Sequence, residues 1–107
     1  MNEALKSFES TMRAICLARN WESPPSGGSR KLIVALQGHK LFPAYYESHL
    51  SALTNLMEGL ATLRNKESAH GQGAGVSHVK DDVVAYALHM TASAVVMLAS
   101  LHADKSD

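Results

Sequence analysis

Apolar residues along this chain recur at intervals of three and four, the period of one helical face. Nowhere do they alternate at the period of two that a half-buried strand requires. Leu5, Phe8, Met12 and Ile15, continued by Arg19, predict a first helix over residues 2–20. Asn2 is placed to cap it, and Glu3 lies near the positive end of its dipole. Residues 21–29 read as a loop, because Pro24 and Pro25 lack amide donors and Gly27 and Gly28 admit turn conformations. Leu32, Ile33, Ala35 and Leu36 predict a short second helix over residues 31–38, with Gly38 as its C-cap. Pro43 suits the first turn of a third helix. Its stripe of Tyr46, Leu50, Leu53, Met57, Leu60 and Arg64, widened by Leu56 and Leu63, is the most regular in the chain. Glycines at 71, 73 and 75 make continuation costly.

Ser77 is a candidate cap for a fourth helix, with Asp81 and Asp82 near its start. Val83, Ala87, Met90, Ala94, Met97 and Leu101 form one stripe, flanked by Val84, Leu88, Val95 and Leu98. A helix apolar around this much of its circumference is either central to a bundle or offers one face to a partner. The predicted fold is all-α: a four-helix up-and-down bundle forming a single domain over residues 1–107, its third and fourth helices long and antiparallel.

Composition narrows the function classes. Of 107 residues 46% are hydrophobic, enough for one core, and ten acidic residues balance ten basic ones. A neutral chain exerts no global attraction on nucleic acid, so any polyanion must be gripped locally. Cys16 is the sole cysteine, which excludes an internal disulfide, fits a reducing cytoplasm and predicts a buried, inert thiol. The charges Glu3, Lys6 and Glu9 interrupt any signal-peptide h-region. Residues 92–101, the most apolar run, fall short of a membrane span.

The chemistry concentrates in Arg64-Asn65-Lys66-Glu67-Ser68-Ala69-His70, followed at once by Gly71-Gln72-Gly73. Arg64 stands in register with an apolar stripe, where an unpaired charge is expensive to bury. With four Arg, four Asn and six His in the chain, an Arg-Asn pair with a His at this distance arises by chance only roughly 0.03 times. Arg19-Asn20 is a second such pair with no His at that distance. Read as residues alone, Arg64 and His70 also suit a helix C-terminus, where cations meet the negative end of the dipole.

The string Leu63-Arg64-Asn65-Lys66-Glu67-Ser68-Ala69-His70-Gly71-Gln72-Gly73 resembles the signature of the abortive-infection C-terminal family of the HEPN superfamily, whose hallmark is Arg-Asn-x4-His. Ala4, Phe8-Glu9-Ser10-Thr11 and Ile15 are similar to that family's first helix, and Val83-Val84-Ala85 with Ala92 to its last. The resemblance implies a helical bundle that often acts as a metal-independent endoribonuclease in phage defence or as a toxin. One His and one Arg barely suffice for a reaction that moves two protons, and the last helix is apolar nearly all round, so a two-fold homodimer is expected. It implies catalytic roles for Arg64 and His70. Asn65, Glu9 and Lys66 would support them, with Gly71, Gln72 and Gly73 forming the adjoining loop. RNA is the implied substrate, DNA is not, and neither metal nor other cofactor is required. The alternative is a non-catalytic HEPN-like module that dimerises or binds RNA or a nucleotide.

The residues suit that chemistry. Imidazole exchanges protons near neutrality, and a guanidinium offers phosphate a permanent charge in a bidentate fork. Asn65 can orient the phosphate or His70, Lys66 can hold a flanking phosphate, and Glu9 can salt-bridge Arg64. The six histidines (39, 49, 70, 78, 89 and 102) show no zinc-site spacing. Residues 71–75 lack the Gly-Lys-Ser/Thr ending of a P-loop. Tyr45 and Tyr46 are read as packing residues rather than base-stacking ones.

Overall fold

In the computed structural model the described residues are 2–70 and 80–105, with 64–70 described through their backbone alone. They form four helices: α1 (Asn2–Ala18), α2 (Gly28–Gly38), α3 (Ala44–His70) and α4 (Asp81–Asp104). No strand occurs among the described residues, and the all-helical bundle expected from periodicity is what forms.

Each helix ends for a local reason. At the end of α1 the Trp21 amide donates to the Cys16 carbonyl (2.8 Å) and the Asn20 amide to that of Leu17 (3.2 Å). Asn20 adopts φ 59°, so this is a Schellman close with asparagine in the left-handed position. Helix α2 closes the same way: Leu41 donates to Leu36 (3.1 Å), Lys40 to Gln37 (2.9 Å), and Lys40 takes φ 61°. Gly38 is therefore the last helical residue and not the left-handed cap the sequence pattern predicts. Leu41 and Leu36 are both buried, and their packing sets the register of the turn at the expense of glycine's preference.

Helix α2 also starts at Gly28, three residues earlier than predicted, which shortens the preceding loop. Gly27 (φ 98°) and Gly28 (φ 63°) make the entry turn, and Ser29 is buried in the first helical turn. Arg13 donates to the Pro24 carbonyl (2.8 Å) and ties the loop to α1. Helix α3 begins directly after Pro43 and runs unbroken to His70, so the glycine run lies just past its end. Helix α4 starts at Asp81 behind Lys80, with Asp81 and Asp82 in the first turn. The predicted cap Ser77 falls outside the described residues.

One core joins all four helices. Phe8, Met12, Ile15 and Cys16 from α1 meet Leu32, Ile33 and Leu36 from α2, and Leu50, Leu53, Met57 and Leu60 from α3. Helix α4 contributes Ala87, Ala94 and Leu98, with Thr91 buried among them. These residues are mostly small, so α4 can approach α1, its main packing partner, closely. The buried hydroxyls are satisfied locally: Thr54 donates to the Leu50 carbonyl (3.1 Å) and Thr91 to that of Ala87 (2.8 Å). Fully burying each large side chain stabilises the fold by about 1.5–3 kcal/mol.

The body is elongated, 55 × 26 × 20 Å. At 1.5 Å per residue, the 27 residues of α3 span about 40 Å and the 17 of α1 only about 25 Å. The last buried residue described on α3 is Leu60, and the first on α4 is Ala87. Residues 61–63 of α3 and 81–86 of α4 carry no buried side chain, and Arg64–His70 follow on α3 with only their backbone described.

Helix α4 also departs from expectation. It is long and apolar enough to cross a membrane by length and composition, although no uninterrupted apolar run in the sequence reaches that length. Its valines, leucines, methionines and alanines sustain a high mean hydropathy despite the interspersed Ser, Thr and His. Only 22% of its most apolar window is buried.

Candidate functional site at the end of helix α3

Arg64, Asn65, Lys66 and His70 occupy the last two turns of α3. Arg64 sits four positions after buried Leu60, as its stripe register predicts. His70 is the final helical residue. In a regular α-helix two positions six apart are about 9 Å apart along the axis and about 120° apart around it. A single α3 therefore does not carry Arg64 and His70 on one face. The side chains of these four residues, and Gly71, Gln72 and Gly73 entirely, lie outside what is described.

Glu9 lies on α1 with its carboxylate 3.5 Å from Arg13, one turn later, and half-exposed. Its other oxygen faces Gly28 at the start of α2, 4.0 Å from where a Cβ would sit. Glu9 is thus shared between α1 and the entry to α2, and its suggested bridge to Arg64 involves a side chain that is not described.

Two clusters were not legible in the sequence. Arg30, in the first turn of α2, pairs with Glu58 of α3 (2.7 Å) and donates to the side-chain oxygen of Asn55. Beside them an open groove of about 660 Å³ runs along α3, floored by Leu56, Leu60 and Leu63. The partners are 25 residues or more apart in sequence, so no local motif announces them.

The second cluster gathers the C-terminal ends of α1, α2 and α4. The Arg19 Nε donates to His102 Nδ1 (2.7 Å), and its Nη2 donates to the carbonyls of both His102 and Lys105 (2.9 Å to the latter). The same guanidinium lies 5.5 Å from the centre of the Trp21 ring, which stacks on His39 at 4.3 Å. Arg19-Asn20, the second Arg-Asn pair, therefore has a histidine after all, 83 residues away. Its setting accounts for it as a helix clamp: Arg19 satisfies terminal carbonyls of α4 and Asn20 closes α1.

The remaining titratable candidates are quiet. Cys16 is 1% exposed, and burial raises its thiol above the ordinary value, opposed by the nearby positive charge of Arg13. Such a thiol is a poor nucleophile. Among the described residues no group of His, Cys, Asp and Glu could hold a metal ion. Tyr45 stands exposed on α3 and meets Tyr46 edge-on at 4.8 Å, while Tyr46 also packs on Phe42 (6.4 Å).

The Abi_C family profile, described as a HEPN-like domain, matches residues 1–102, nearly the whole chain. This chain belongs to that family. No curated protein and no solved structure matches it. Membership accounts for the four-helix architecture of this HEPN-like domain. The Arg64-Asn65…His70 stretch is carried at the C-terminal end of its longest helix.

Proposed function

We propose that this HEPN-like domain is a metal-independent endoribonuclease, acting in defence or as a toxin in the cytoplasm through Arg64 and His70. The observation that carries the reading is an intact Arg64-Asn65-x4-His70 in a chain of this family, in the last two turns of α3. The 2′-hydroxyl of RNA attacks the adjacent phosphorus as His70 takes its proton. The P–O5′ bond breaks, and a second general acid delivers a proton to the leaving oxygen. The products are a 2′,3′-cyclic phosphate and a 5′-hydroxyl. Arg64 stabilises charge on the phosphorane oxygens, Asn65 orients the phosphate and Lys66 holds a flanking one.

The reaction moves two protons, and Arg64 and His70 of one helix do not share a face. Two copies facing one another supply a base, an acid and two cations, so the working unit is a two-fold homodimer. Helix α4 supports this. Its exposed face carries Ala85, His89, Ala92, Val96, Ala99 and Ala103, spaced alternately by four and three. That is the period at which two helices mesh, and the small side chains let backbones approach closely.

The test is incubation of purified protein with mixed RNA, beside His70→Ala under identical conditions. Cleavage by the wild type alone supports the reading, and equal cleavage by both refutes it. The neutral net charge favours a second reading, a dimeric RNA- or nucleotide-binding module without catalysis. RNA binding with no cleavage under any condition would select it.

A further inference from the structure

We infer that the groove between α2 and α3 is a guanine-selective subsite, holding one base of a single-stranded RNA beside the Arg64 position. This rests on the reading that RNA is what the end of α3 meets. The floor is apolar: Leu60 is buried, Leu56 half-buried and Leu63 40% exposed. At Gly59 the helix surface is bare, and a Cβ there would meet nothing within 4 Å. A flat ring can therefore lie close against the backbone.

The wall is polar and oriented. Arg30 only donates, so its bond to Asn55 fixes the amide oxygen inward and turns the amide nitrogen out as a donor. Arg30 also takes Oε1 of Glu58 at 2.7 Å, which leaves Oε2 to accept. Asn55 and Glu58 lie three positions apart on α3, so their side chains are neighbours. A donor beside a carboxylate matches the Watson–Crick edge of guanine: O6 accepts from Asn55, while N1–H and N2–H donate to Glu58. Adenine, with a single exocyclic donor, and the smaller pyrimidines fill this arrangement less well. Unstacked bases of single-stranded RNA are read by such contacts. From Leu60, in the groove's floor, to Arg64 is one helical turn, about 6 Å along the axis and about 40° around it, within reach of the next phosphate.

The experiment uses the full chain carrying His70→Ala, so that RNA is not consumed, titrated with fluorescein-labelled oligouridine hexamers containing one guanine, inosine or adenine. The guanine hexamer is expected to bind about tenfold or more tighter than the adenine one, with inosine, lacking the N2 amino group, in between. Glu58→Gln and Gly59→Leu should each flatten the preference while RNA still binds, and both keep the helix, since Gln and Leu are good helix formers. Equal affinity for guanine and adenine, or a preference that survives both variants, overturns the inference. So does a change from dimer to monomer in Gly59→Leu without any base effect, which would assign the groove to a second copy. Cleavage mapping separates the two claims. Wild-type cleavage indifferent to guanine sinks the subsite alone, and guanine-selective binding without cleavage sinks the nuclease alone.

Discussion

Replacing Arg19 with alanine should cost this small domain a large share of its stability, although Arg19 lies far from the proposed chemistry. The side chain joins the two ends of the chain: from the C-cap of α1 it donates to His102 Nδ1 at 2.7 Å and to the carbonyls of His102 and Lys105. Hydrogen bonds from a charged donor contribute about 1.5–3 kcal/mol each when well buried. The site is part-buried, and water can replace the guanidinium at the freed carbonyls, so about 1 kcal/mol each is the better figure. A cation at the negative end of α4 adds about 0.3–1 kcal/mol, and its place over Trp21 about 0.5–1 kcal/mol. The three bonds and these two contributions give an expected loss of about 4–5 kcal/mol, which for a domain of this size lowers Tm by about 15–30 °C. Thermal unfolding followed by circular dichroism, at one fixed protein concentration, measures it. Arg19→Lys keeps the charge but not the fork and should recover at most half. A drop of less than about 2 °C for Arg19→Ala would refute the clamp.

Other consequences are open to direct measurement. Met57 is fully buried in the core, so Met57→Ala should lower stability by about 2–5 kcal/mol, seen as a lower urea midpoint at unchanged slope. Cys16 should resist thiol reagents in the folded protein, and fast modification would contradict its burial. Because its folded value is raised, the Cys16 thiol contributes stability that is complete below the ordinary value of 9.0 and is lost as pH rises beyond it. The loss is at most about 1.4 kcal/mol per pH unit, and Cys16→Ala should remove this part of the alkaline slope. Ala92→Glu, on the exposed seam of α4, should convert a dimer to a monomer in light scattering without unfolding it. A wild type that is already monomeric at micromolar concentration would count against both the seam and the two-copy site.

The long α3 was legible because Leu50, Leu53, Met57 and Leu60 repeat at the helical period and all four are buried. The burial of Cys16 was legible from its residue type, because a free cysteine is among the most often buried residues. Boundaries were less so. The start of α2 depends on Ser29 packing inward and on Arg30 pairing across to Glu58, neither of which periodicity registers. Lys40 closes α2 in place of Gly38 because Leu41 packs back on Leu36. On α4 the buried line runs through Ala87, Thr91, Ala94 and Leu98, leaving Val83 and Leu88 exposed. On a helix apolar nearly all round, the inward face is chosen by the neighbour and not by the pattern. The Arg64–His70 stretch could be found because it is contiguous. The Arg19–His102 clamp and the Arg30–Asn55–Glu58 wall could not, because folding alone brings their members together.

The central claim is that Arg64 and His70 cleave RNA without a metal, and one experiment addresses it most directly. Wild type, His70→Ala and Arg64→Lys are each incubated with a mixed RNA in excess EDTA, and the product ends are identified by mass. The account predicts 2′,3′-cyclic phosphate ends from the wild type, with His70→Ala slowed by about 10²–10⁴-fold while remaining folded. Arg64→Lys should fail as well, because a point charge does not replace the bidentate fork. Activity abolished by chelation, 5′-phosphate products, or undiminished cleavage by His70→Ala would contradict it.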